Sequence, residues 1–90
     1  MQTIKIKITG RVQGVFFRQS AQKKALALEI KGTVKNCEDD SVEIVATGDK
    51  EQLDKLVAWC WDGPPRAMVD NVTTQEVTLQ PFNYFSIIRY

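Results

Sequence analysis

Histidine is absent from this 90-residue chain, which removes at once the commonest metal ligand and the side chain best suited to proton transfer near neutral pH. Cysteine is nearly absent too. Cys37 and Cys60 are too few and too far apart for a disulfide framework or a zinc site, so no metal and no cofactor is expected. A reducing setting would keep both as thiols, although the sequence alone leaves a disulfide open. There is little surplus charge of either sign. Twelve Lys and Arg against 11 Asp and Glu leave a net charge of +1, which gives a polyanion such as nucleic acid almost no long-range field to follow. Long apolar runs are also missing. Met1–Ile6 lacks the apolar core of a signal peptide and no later run could cross a bilayer, so the default expectation is a cytoplasmic protein with no membrane contact.

What is present fits one small domain. A hydrophobic content of 43% is ordinary for a globular chain, and no linker, repeat or low-complexity stretch divides residues 1–90. The expectation is a single domain acting as a monomer.

Ile4, Ile6 and Ile8 alternate with Lys5, Lys7 and Thr9, the period of a strand with one buried face, expected to be short and central. Phe17, Ala21, Ala25 and Leu28 recur at helical spacing and predict an amphipathic helix from about Arg18 to Glu29, with Lys31-Gly32 as its stop. Thr33–Cys37 and Ser41–Thr47 predict a hairpin around the polar Glu38-Asp39-Asp40, with Val34 and Asn36 on one face. Asp49 can cap a second helix with Gln52 at the reciprocal position, and Leu53, Leu56, Val57 and Cys60 form its apolar stripe. Trp59 and Trp61 are read as packing anchors. Gly63-Pro64-Pro65 ends that helix. Met68–Val77 predicts a bulged or long edge strand broken by Pro81, and Tyr84–Tyr90 a fifth strand with Phe85 and Ile87 on one side and Ile88 and Tyr90 on the other. The order βαββαββ suggests an α+β fold of ferredoxin-like type, an α/β sandwich in which two helices pack on one face of an antiparallel-rich sheet.

Between the first strand and the first helix lies Gly10-Arg11-Val12-Gln13-Gly14-Val15-Phe16-Phe17-Arg18. Gly10 and Gly14 permit positive φ and close backbone approach, a helix N-terminus follows with unpaired N–H groups, and Arg18 adds a planar fork of donors. Together these suit a phosphate. Tight strand-to-helix turns also use glycine for steric reasons alone, and the spacing by itself favours that steric reading.

These nine contiguous residues resemble the signature of the acylphosphatase family. A second family element stands at Gly32-Thr33-Val34-Lys35-Asn36, and the resemblance extends to Gly63-Pro64, Ala67, Val69 and Phe85–Tyr90, essentially the whole chain. It implies the same ferredoxin-like fold and hydrolysis of the carboxyl–phosphate bond in small acyl phosphates such as acetyl phosphate, carbamoyl phosphate or 1,3-bisphosphoglycerate. It also implies roles. Arg18 would bind the phosphate, the backbone N–H groups of Val12, Gln13, Gly14, Val15, Phe16 and Phe17 would complete the cradle, and Asn36 would hold the attacking water.

The chemistry asks for little more. A carboxylate is a weak base and leaves without a general acid, so the lack of histidine is no obstacle. A loose phosphoryl transition state is stabilised mainly by positioned charge and hydrogen bonds. No metal and no covalent intermediate is required. Arg11 is read as a solvated loop charge and Cys37, lacking a base, as structural. The rival class is a non-catalytic module of the same fold that binds or senses an acyl phosphate or another small anion. RNA binding is disfavoured, because the first and third strands carry no aromatic side chain on which a base could stack.

Overall fold

A computed structural model describes residues 1–89. Five strands and two helices follow in the order β1 (Gln2–Arg11), α1 (Phe17–Ala27), β2 (Lys31–Asn36), β3 (Val42–Gly48), α2 (Lys50–Asp62), β4 (Met68–Val77) and β5 (Phe85–Ile88). They form one sheet in the spatial order β4-β1-β3-β2-β5. β1 pairs antiparallel with both β3 and β4, and β2 antiparallel with β3. β5 lies parallel to β2. The sheet is thus mixed, although antiparallel pairings dominate, and both helices pack on it.

Strand alternation decides which face they cover. Ile6 and Ile8 of β1, Val34 of β2, Val42, Ile44 and Ala46 of β3 and Phe85 of β5 are fully buried, and they meet Phe17, Ala21 and Ala25 of α1 and Leu53, Leu56 and Cys60 of α2. No described helix is long and apolar enough to cross a membrane.

β1 is an interior strand paired on both sides, but it is not short. It runs for ten residues, and β3 holds the middle of the sheet. Its extra length comes from Gly10, where the pairing with β4 shifts register and then continues to Arg11 opposite Met68. Gly10 has φ 121°, and a Cβ there would run into the backbone of Met68 and Asp70. Only glycine lets the strand continue past that point.

α1 stops earlier than its apolar spacing suggests. Leu28 is the C-cap and Glu29 takes a left-handed conformation, φ 60°. The Ile30 amide donates to the Ala25 carbonyl at 2.9 Å and the Glu29 amide to the Leu26 carbonyl at 3.1 Å, with Ile30 buried. This is a Schellman closure with glutamate where glycine is usual. Gly32, expected as the stop, lies within β2 and packs against the backbone of Val45. At α2, Asp49 occupies the N-cap but its side chain makes no capping bond, so the expected box with Gln52 does not form. The carboxylate lies instead 3.9 Å from the terminal ammonium. Trp59 packs with its ring centroid 5.3 Å from that of Phe17, whereas Trp61 is 49% exposed and is not among the side chains packed against the core.

β4 and β5 stand on opposite edges, so residues 78–84 must travel the width of the sheet. Gln80 pins the crossing: its amide donates to Thr3 Oγ1 at 2.8 Å and its carbonyl accepts from Thr47 Oγ1 at 2.7 Å. Thr3 and Thr47 are cross-strand partners whose hydroxyls lie 2.6 Å apart. Because the single Thr47 proton is used on Gln80, Thr3 must be the donor between them. β5 follows at Phe85–Ile88; the sidedness expected for Tyr90 falls outside the described residues.

The left-handed Glu29 gives a test of stability. Glycine tolerates that conformation, whereas L side chains lose roughly 1–2 kcal/mol in it, partly offset by the extra freedom glycine has when unfolded. Glu29→Gly should stabilise the fold by about 0.5–1 kcal/mol, and Glu29→Val should destabilise it by at least as much. Thermal melts resolve this, since 1 kcal/mol moves Tm by ~4–8 °C in a domain of this size.

Candidate active site

β1 and β2 are both antiparallel to β3, hence parallel to one another, and their C-terminal ends lie at the same end of the sheet. That is where ligands commonly bind in sheets with helical crossovers. The loop leaving β1 and the residue ending β2, Asn36, lie at that same end because helix α1, packed against β2 and β5, returns the chain to the start of β2.

The loop is held from beneath by Val12, Val15 and Phe17, all buried. Gly14 (φ 74°) and Phe16 (φ 65°) both lie in the left-handed region. Phe16 is the N-cap of α1 and has no oxygen with which to cap it; no side chain closes the end and the first turn holds no acidic residue. The first intrahelical bond is donated by the Ser20 amide to the Phe16 carbonyl at 3.1 Å. The amides of Phe17, Arg18 and Gln19 therefore have no partner within the helix, and they carry the positive end of its dipole.

A depression of about 180 Å³ opens above this turn, lined by Val12, Gly14, Phe16, Phe17, Arg18, Gln19 and Asn36. Arg18 and Asn36, 18 positions apart in the chain, thus face one small space. Asn36 lines it, and its Oδ1 atom is buried with no hydrogen-bond partner among the described residues.

Gln13 and Val15 do not line that depression. The Gln13 side chain turns away, and its Nε2 donates to the carbonyls of Cys37 at 2.8 Å and Ser41 at 2.9 Å. The loop is thereby tied to the turn that follows Asn36. Gln19, one residue past Arg18 in the uncapped turn, lines it as well. Cys37 lies outside the depression, and Cys60 is buried in the core, where desolvation pushes its thiol up to about 12. Both thiols are free. Among the described residues no three His, Cys, Asp or Glu side chains come together as a metal site would need.

Comparison with known proteins agrees with the geometry. The acylphosphatase family model matches residues 4–87. The chain belongs to the acylphosphatase family. It is 42% identical to an acylphosphatase of Coxiella burnetii over 84 residues, covering 93% of this chain and 88% of that one. An acylphosphatase of Methylococcus capsulatus is 42% identical over 90 residues, covering 99% and 98%. The crystal structure of acylphosphatase from Bacillus subtilis superposes with a TM-score of 0.95 at 36% identity, covering 99% of this chain and all of that one. The family thus accounts for the sheet, both helices and the loop between β1 and α1.

The turn beside Asn36 carries its own electrostatic support. Asp39 accepts from Lys7 Nζ at 2.8 Å and from the amide and hydroxyl of Ser41. The Lys7 bond, then those from Ser41, hold the Asp39 carboxyl far below its ordinary value of 3.8, while Asp39 raises Lys7 above 10.5. A depressed carboxyl contributes stability above its unfolded value and loses it as pH falls through the folded one; the raised ammonium contributes below 10.5 and loses it on the alkaline side. Both groups are about half exposed, so the contribution is small and salt-sensitive. Asp39→Asn should accordingly lower Tm by a constant margin from about pH 5 to about pH 9 and by progressively less as pH falls below 3.8. Melting curves of both proteins across that range check the sign; a margin that widens in acid would contradict it.

Proposed function

We propose that this chain hydrolyses the carboxyl–phosphate anhydride of small acyl phosphates in a single displacement, with Arg18 and the amides of the first turn of α1 holding the phosphoryl group and Asn36 holding the water. The observation that carries the assignment is that Asn36 lines the same depression as Arg18 and the uncapped first turn of α1. A site for a bare anion needs donors alone. An amide side chain beside them adds an acceptor, which suits a water that donates one hydrogen to it and keeps a lone pair for phosphorus.

The water oxygen forms its bond to phosphorus as the bond from phosphorus to the acyl oxygen breaks, and the electron pair of that bond leaves on the carboxylate. The water's proton passes to a phosphoryl oxygen. Products are a carboxylate and inorganic phosphate, and charge balances without a protein base. Charge on the equatorial oxygens is met by the Arg18 fork and the backbone amides, which are in place before the reaction begins. Neither thiol is needed, since Cys37 lies outside the depression and Cys60 is sealed in the core.

Two kinetic signatures separate the roles. Arg18→Ala should raise KM, weaken inhibition by inorganic phosphate and lower kcat/KM by roughly 10³ or more, and Arg18→Lys should recover little because a point charge lacks the fork. Asn36→Ala should lower kcat by roughly 10²–10³ while phosphate inhibition stays within a few-fold of normal. Circular dichroism and melts establish that each variant is folded. An Asn36→Ala protein with normal kcat, or with phosphate affinity lost as in Arg18→Ala, would remove the water-holding role.

A further prediction concerns dispensable groups. Hydrolysis of benzoyl phosphate should survive EDTA, and Cys37→Ser should keep most of kcat. Loss of activity in EDTA with recovery on adding Mg²⁺ would instead require a metal-assisted step.

A further inference from the structure

The cradle is small, and a second depression begins where it ends. Gly14 lines both. Apart from its chain neighbours, no atom lies within 4 Å of where a Cβ at Gly14 would stand, so the glycine itself puts no side chain between the two spaces. The second depression is larger, about 400 Å³, and is bordered by Arg11, Gln13, Gly14, Val15 and Arg66. Its two arginines come from distant parts of the chain. Arg11 ends β1, carried past the bulge at Gly10 and set opposite Met68. Arg66 precedes β4 in a turn closed by the Ala67 amide donating to the Pro64 carbonyl at 2.9 Å.

Both side chains are exposed, and among the described residues neither takes part in an ion pair; the acids that do pair are Asp39, Asp49, Glu51 and Asp54, engaged elsewhere. Three of the chain's four arginines, Arg11, Arg18 and Arg66, thus border two spaces that meet at one glycine. Two guanidinium groups facing one depression with no carboxylate between them repel each other, and a bound anion relieves that repulsion. Each offers a planar fork matched to a carboxylate or phosphate.

We infer that the Arg11–Arg66 depression is an anion subsite for the far end of the acyl group, so that the preferred substrates are acyl phosphates bearing a second negative group on the acyl portion. The inference rests on the hydrolytic reading above and narrows it. Of the small acyl phosphates, those with an uncharged acyl group, such as acetyl phosphate, leave both arginines unused. Those with a carboxylate or a second phosphate a few bonds from the anhydride engage both spaces at once, the second contact being intramolecular once the phosphoryl group is seated.

The test compares ligands that differ by one carboxylate. Benzoylphosphonate and its 3-carboxy and 4-carboxy derivatives cannot be hydrolysed, so their affinities, measured by calorimetry on the full chain, report the subsite whether or not turnover occurs. At low salt at least one carboxylated ligand should bind roughly tenfold more tightly than benzoylphosphonate, and the preference should shrink as salt is raised because the arginines are exposed. In an Arg11→Gln/Arg66→Gln protein the ratio should fall to about one, with each single variant between. A ratio taken within one protein cancels any general loss from the substitutions, and melts confirm folding. Equal affinities in the native protein, or a preference that survives in the double variant, overturn the subsite. Failure to hydrolyse benzoyl phosphate, by contrast, overturns the catalytic reading and leaves the binding ratio to be judged by itself.

Discussion

A backbone amide can hold an anion only if the protein makes no other use of it, and a loop whose amides are unused has given up the bonds that would ordinarily make it rigid. The stretch from Gly10 to Phe17 is arranged around that constraint. Its rigidity comes from side chains beneath and behind the backbone. Val12, Val15 and Phe17 are rooted in the core, and the Gln13 amide grips two carbonyls across the gap. The first turn of α1 stays uncapped because the residue at its start is a phenylalanine. A serine or aspartate there would have satisfied an amide from within the chain and competed with a bound phosphate for it.

The same Gln13 contact couples the two halves of the site. Its acceptors, the carbonyls of Cys37 and Ser41, belong to the turn that Asn36 enters, and the Cys37 amide in turn donates to the Ser41 carbonyl at 2.9 Å. Behind them stand Ser41, Asp39 and Lys7, the last returning to β1. The loop that would hold the phosphoryl group and the strand end that would hold the water are therefore parts of one hydrogen-bonded unit, and neither can shift without the other. In-line attack needs such a fixed separation, since small displacements of a reacting atom carry large costs in rate.

Much of the fold was legible because its determinants are local. Alternation at Ile4, Ile6 and Ile8 and the stripe at Leu53, Leu56 and Cys60 assign strand, helix and buried face directly, and β4 has the bounds its composition suggests. The features that escaped depend on partners far along the chain. β1 reaches Arg11 only because β4, almost sixty residues later, follows it around the bulge at Gly10. Gly32 looks like a helix stop until Val45 is placed against it. Nothing near Gln80 announces that it will bridge Thr3 and Thr47. In the site, the resemblance carried by Gly10–Arg18 and by Asn36 supplied the residues expected to act. The direction in which Gln13 turns, and the presence of Gln19 in the depression, depend on side-chain placement that spacing does not encode.

The two ends of α1 show how strain separates structure from function. Each is marked by a non-glycine residue in the left-handed region, Phe16 at the start and Glu29 at the finish, and each conformation costs roughly 1–3 kcal/mol. At Glu29 the cost is offset locally, since the turn it permits closes two backbone hydrogen bonds and seats Ile30 in the core. At Phe16 the return is smaller: its carbonyl accepts the first bond of α1 from the Ser20 amide, and Phe17 beyond it is buried. The Phe16 side chain is 66% exposed, it caps nothing, and the amides that follow are left open. A residue that is strained and exposed, and that leaves the amides after it uncapped, is hard to explain by folding alone. The stability it uses is supplied by the packed sheet and helices on either side, and what the fold obtains in exchange is a row of amides held open beside Arg18 and Asn36.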